Sequence, residues 1–158
     1  MPLVGVTLDA PTLGRGSDAQ RADWEANIRE LVSQAVSNID PSATLRLGVA
    51  EEHFDLELVT ETGEPIGAVI IEHTTLSKHI DEYLDIVAQI AAADSLNQME
   101  ALDMAKKVTH DRAGRVLKRA LRDYGFDLET SRRLFTLLLS LKVDTTCRPG
   151  LRGHARAG

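Results

Sequence analysis

Cysteine is almost missing from this chain: Cys147 stands alone, so no internal disulfide, CxxC redox pair or paired zinc ligands can be built from it. A chain that does without disulfides is expected in a reducing compartment, the cytoplasm. Aromatic residues are also scarce, at 4%, which leaves Leu, Ile, Val, Ala and Met to form the core. Nowhere do about eighteen apolar residues run together, and the opening "MPLVGVTLDA" meets Asp9 with no basic segment ahead of it. Neither a membrane span nor a signal peptide is expected.

What remains is an ordinary globular composition with an uneven charge. A length of 158 residues suits a single domain; we place it at 1–142, with a flexible basic tail at 143–158. Up to residue 105 there are 5 Lys and Arg against 19 Asp and Glu, a net of -14; from Lys106 onward there are 13 against 5, a net of +8. The chain is an acidic body with a basic C-terminal third. Such an asymmetry serves internal charge matching, self-association, or attraction of an anionic partner.

Alternation marks strands at "LVGVTL" (3–8), "TLRLGVA" (44–50), "HFDLELVT" (53–60) and "PIGAVIIE" (65–72). In the third, Phe54, Leu56 and Leu58 face one way and His53, Asp55 and Glu57 the other, so one sheet face is packed and one wet. Pro11, Gly14 and Gly16 mark a loop. A helix from Ser17 carries Trp24, Ile28, Leu31, Val32, Ala35, Val36 and Ile39 and closes at Pro41. After the strands, Leu76, Ile80, Tyr83, Leu84, Val87 and Ile90 define a helix whose first turn the hydroxyls of "TTLS" can cap. Ser95 with Gln98 opens another. Two more are expected near 111–124 and 128–142, separated by Gly125; the last buries Leu134, Phe135, Leu138, Leu139 and Leu141. The order β-α-β-β-β followed by helices predicts the α+β class: a small antiparallel sheet covered by a C-terminal run of helices.

Motifs for chemistry are thin. "GRG" at 14–16 offers neither the spacing nor the lysine of a phosphate-binding loop, and no GxGxxG joins a strand to a helix. His73 and His79 stand six apart, with the first at a strand end, so they lack the one-turn spacing that places two imidazoles on one metal. Cys147 lies in the tail, where nothing fixes it against a histidine. No catalytic residue, cofactor or metal is assigned. Projected at about 100° per residue, the 96–110 helix gathers Met99, Ala101, Leu102, Met104, Ala105 and Val108 on a broad side and Glu100, Asp103, Lys107 and His110 on a narrow polar stripe.

"MEALDMAKKVTHDRAGRVL" followed by "DLETSRRLFTLLLSL" resembles the C-terminal signature of an uncharacterised bacterial protein family, number 0262 in its series. The resemblance rests on Glu100, Ala101, Asp103, Met104, Lys106, Lys107 and His110, then on Asp127, Thr130, Arg132, Arg133, Leu134, Phe135, Thr136 and Leu137. "LVGVTLDAPTL" and "LRLGVAEEHFDLEL" are similar to the family's opening and first hairpin. Asp111, Arg112 and Ala113 stand where the family pattern has Asn-Glu-Gly, which marks a divergent member and argues against a His-Glu acid-base pair at His110. The resemblance brings no established activity with it.

Two functions fit the residues. The first is a non-enzymatic interaction or regulatory module whose basic C-terminal helical face, through Lys106, Lys107, His110, Arg112, Arg132 and Arg133, meets an acidic protein or another copy of itself. The second is a nucleic-acid or nucleotide-phosphate binder, with enzymatic activity left open, that uses the same basic residues and His110.

Overall fold

Alternating apolar residues and short connections in the middle of the chain dictate a meander, and the computed structural model, which describes residues 3–35 and 42–146, contains one. The strands are β1 (Leu3–Leu8), β2 (Ala43–Val49), β3 (His53–Thr60) and β4 (Pro65–Glu72). The helices are α1 (Ala10–Gly14), α2 (Asp18–Gln34), α3 (His73–Ala91), α4 (Leu96–Ala120) and α5 (Leu128–Lys142). Sheet order is β1-β2-β3-β4, antiparallel across β2, β3 and β4. β1 joins parallel to β2, so the sheet is mixed rather than wholly antiparallel. The reason is the long connection through α2, which returns the chain to the same end of the sheet before β2 begins.

Register places apolar residues opposite one another on the packed face, with Leu47 across from Leu56 and Leu56 across from Val69. On the wet face Arg46 pairs with Glu57, its cross-strand neighbour, at 3.4 Å. Helices α3 and α5 lie on the packed face. Leu76, Ile80, Tyr83 and Val87 of α3 and Leu134, Phe135, Leu137, Leu138 and Leu139 of α5 join the sheet residues in one cluster. Burial on nearly every side makes α5 the central helix. Trp24 ties α2 to it by donating from Nε1 to the Ser140 carbonyl at 2.8 Å.

Four local expectations change. The loop at 10–14 is a short helix, because the Asp9 carboxylate accepts from the Thr12 amide at 2.8 Å and the buried Thr12 hydroxyl accepts from Val49. Helix α3 starts at His73, which puts the "TTLS" hydroxyls inside its first turns, and Glu72 at its start makes no side-chain cap. The two helices expected around 96–124 are one, α4, about 37 Å long; only the mild helix penalties of Val108, Thr109 and Gly114 stand in its path. Finally, residues 143–146 are docked rather than loose, with Thr145 donating to Asp23 at 2.8 Å. The remainder of the expected tail, including Cys147, and the expected turns of α2 at Val36 and Ile39 with the stop at Pro41, lie outside the described residues.

Helix ends follow the sequence more closely. Ser17 and Gln20 form a full capping box. Ser95 accepts from the Gln98 amide, and Gln98 reaches back to Asp94. Gly125 takes φ 66, a left-handed conformation that other residues rarely adopt, and so turns the chain from α4 into α5. Asp127 then caps α5; hydrogen bonding from Thr130 holds its carboxyl below the usual carboxylate range.

Candidate functional site

Helix α4 decides what the sequence-predicted residues can reach, because α3 and α5 pack against one side of it and the other side meets water. Its buried residues are Thr109, Ala113, Gly114 and Leu117. The face opposite carries Asn97, Ala101, Met104 and Val108 in its first half and Arg112, Arg115, Lys118 and Arg119 in its second, all exposed. Arg122, in the turn that follows, continues the row. The projection from sequence puts Met104 and Val108 on the broad apolar side; in the fold they are 64% and 46% exposed. The partner helices settle the orientation of α4, and no periodicity within α4 alone could reveal it.

The polar stripe is divided accordingly. Glu100, Asp103 and Lys107 are exposed, whereas His110 is half-buried against α5. Its Nε2 lies 2.8 Å from the Arg132 carbonyl and 3.0 Å from the Thr136 hydroxyl. A carbonyl only accepts, so Nε2 carries the hydrogen. The imidazole also stacks obliquely on Tyr83 and Phe135, with centroids at 5.6 Å and 5.7 Å. His110 is thus a helix-to-helix tie. Lys106 is half-buried, and desolvation holds its ammonium below the ordinary lysine range against the opposing pull of Asp103.

Arg132 and Arg133 are placed differently from the α4 row. Arg132 reaches Asp111 at 3.0 Å, near enough for an ion pair although not aligned as a hydrogen bond, and Glu129 at 2.9 Å. Arg133 reaches Glu129 at 3.2 Å and Glu30 of the acidic body at 3.6 Å. Internal charge matching is therefore realised at these two residues. By contrast, Lys107, Arg112, Arg115, Arg119 and Arg122 form no ion pair among the described residues. Of the six basic candidates read from sequence, Lys107 and Arg112 are the ones that stand free in solvent. Arg115, Lys118, Arg119 and Arg122 extend their row; the clustering of all of them within 102–125 was the signal.

A pocket of about 510 Å³ opens between the β2–β3 turn and the start of α3, with Glu51, Glu52, His53, Glu72 and His73 in its lining. His73 is buried there, 2.8 Å from the Ala50 carbonyl through Nε2 and edge-on to Phe54 at 4.6 Å. Among the described residues no three His, Cys, Asp or Glu side chains converge as metal ligands. No helix among them is long and apolar enough to cross a membrane.

Tyr83, at the junction of α3, α4 and α5, is 2% exposed, and burial pushes its phenol up to about 12 against the pull of Arg132. Well below pH 10 the phenol is protonated in both folded and unfolded chains and contributes no pH dependence. Above it the unfolded chain releases a proton that the folded one retains, so stability falls as pH rises towards the folded value, by at most about 1.4 kcal/mol per pH unit. Chemical denaturation from pH 9 to 11.5 is expected to show a shallower fall for Tyr83→Phe than for the wild type. Identical slopes would mean that the phenol ionises as freely in the fold as outside it.

Comparison with known proteins points one way. The family model described as "Uncharacterised protein family (UPF0262)" matches residues 1–144. A UPF0262 protein of Methylobacterium radiotolerans is 31% identical over 146 residues, covering 88% of this chain and 91% of the relative. Others, from Rhodopseudomonas palustris and a Bradyrhizobium species, are 27% and 28% identical over 86% and 88% of this chain and 88% of each relative. No solved structure gives a significant match.

Proposed function

We propose, for a chain that belongs to the uncharacterised protein family UPF0262, the role of an interaction module that docks an acidic protein on the outer face of α4. The observation that carries this reading is the row Arg112, Arg115, Arg119 and Arg122, exposed on one face and without an ion pair among the described residues. Guanidinium groups there lose no internal partner on binding, and each presents a planar fork that matches a carboxylate. A 25-residue helix packed on two others holds the row rigid, which reduces the ordering cost of docking.

A single-stranded nucleic-acid ligand would use the same charge but also favours aromatic platforms for its bases. Tyr124, Phe126 and Phe135 are the aromatic residues nearest in sequence, and all three are buried. That observation favours the acidic protein. The test uses defined probes: titration of the full chain with polyglutamate and with duplex DNA at two salt concentrations. Arg112→Glu/Arg115→Glu/Arg119→Glu is expected to weaken polyglutamate binding about tenfold or more while the thermal melt stays that of wild type. Unchanged binding by the triple variant would remove α4 from the reading, and a clear preference for DNA would replace the acidic protein with nucleic acid.

A further inference from the structure

We propose that the first half of α4 is a self-association face, on which a second copy of this chain lays the same helix antiparallel. The inference stands apart from the acidic-partner reading, since it concerns residues 97–108 and leaves the arginine row open.

Asn97, Ala101, Met104 and Val108 recur at steps of four, three and four, the spacing of a seam between two helices. All four are exposed, Met104 at 64% and Val108 at 46%. The opposite side of α4 is already committed to α3 and α5, so this seam has no partner within the described chain.

Charge identifies the occupant. Glu100 and Lys107 each sit one residue before a seam position, Ala101 and Val108, and therefore flank the same edge of the seam. Both are exposed and neither forms an ion pair among the described residues. In an antiparallel pair of identical helices, like edges face each other, so Glu100 of one copy meets Lys107 of the other, and the two-fold axis makes this happen twice. In a parallel pair the edge would meet the opposite one, setting Lys107 against Arg112 and Glu100 against Ala105. Only the antiparallel arrangement satisfies both charges.

The layers agree with that register. Asn97 falls opposite Val108 of the second copy and Ala101 opposite Met104, a small residue against a large one in each central layer. On the other edge Gln98 meets Ala105, which is neutral. Arg112, Arg115 and Arg119 project past the end of the seam, on both sides of the dimer. Four layers of a single helix bury less than the ~1,600 Å² of a standard interface, which places the contact among weak, transient associations.

Sedimentation equilibrium of the full chain across a concentration series tests this. The wild type is expected to shift from monomer to dimer as the concentration rises, and Met104→Glu to remain monomeric over the same series with an unchanged melt. Glu100→Lys and Lys107→Glu are each expected to weaken the dimer about tenfold by setting like charges together. The double swap Glu100→Lys/Lys107→Glu restores it. A wild type that stays monomeric overturns the proposal. So does a dimer indifferent to the single reversals, or one that the double swap fails to rescue.

Discussion

Phe135→Asp yields a chain that does not fold. Phe135 is 0% exposed, in the helix that the sheet and the other helices surround. Its ring meets Tyr83 edge-on at 6.0 Å and His110 at 5.7 Å, so it closes the junction of α3, α4 and α5. Truncating a buried phenylalanine costs about 3–5 kcal/mol in lost burial and cavity formation. A carboxylate put in its place would be desolvated within this apolar cluster, which adds several kcal/mol more. The sum is comparable with the whole stability of an ordinary domain, about 5–15 kcal/mol. Circular dichroism is expected to show loss of helix and no cooperative melt, whereas Phe135→Leu, which keeps an apolar side chain, should melt cooperatively at a lower temperature. A soluble Phe135→Asp chain with a native melt would mean that α5 does not occupy the centre of the fold.

Gly114→Leu has the next largest effect, and for a different reason. Gly114 sits inside α4, where a glycine costs about 1 kcal/mol relative to alanine. What it permits is close approach: a Cβ at this position would fall 2.7 Å from Arg132 Cγ, 3.2 Å from Leu128 Cδ1 and 3.4 Å from the Arg132 amide nitrogen. These atoms cannot easily give way. Arg132 is held by Asp111 and Glu129, and its carbonyl is held by His110. A leucine would force α4 and α5 apart and break that set together, an expected loss of about 3 kcal/mol or more in denaturant titration. Wild-type stability in this variant would show that the two helices do not meet at Gly114.

Those two positions also show where sequence reading works. Phe135 was legible as core because Leu134, Phe135, Leu138, Leu139 and Leu141 recur at helical spacing on one side of a short helix. Strands β1, β3 and β4 were legible to the residue, and β2 to within one, because apolar alternation and turn residues are local signals. Gly114 was not legible, since its role depends on Arg132 and Leu128, which lie well along the chain. The same limit hid the pairing of Arg133 with Glu30, more than 100 residues away. Arg132 and Arg133 look like free charges in "TSRRLF", yet their partners come from α2, α4 and their own helix. A reversal of those two would remove ion pairs inside the molecule, so a binding test belongs on α4.

The parallel pairing of β1 was hidden for a topological reason, because strand direction depends on where α2 delivers the chain and not on the strand residues. The exposed face of α4 was half legible. Its basic second half is legible in composition, but whether the apolar Met104 and Val108 face solvent depends on α3 and α5, which pack on the other side.

Affinity capture from bacterial lysate, with and without nuclease, probes the basic face of α4 against its natural partners. It compares the wild type with Arg112→Glu/Arg115→Glu/Arg119→Glu. The expected result is a defined acidic protein that is retained after nuclease, weakened by salt and lost with the triple reversal. Recovery of the same protein by both chains, or of nucleic acid that disappears with nuclease, would contradict it.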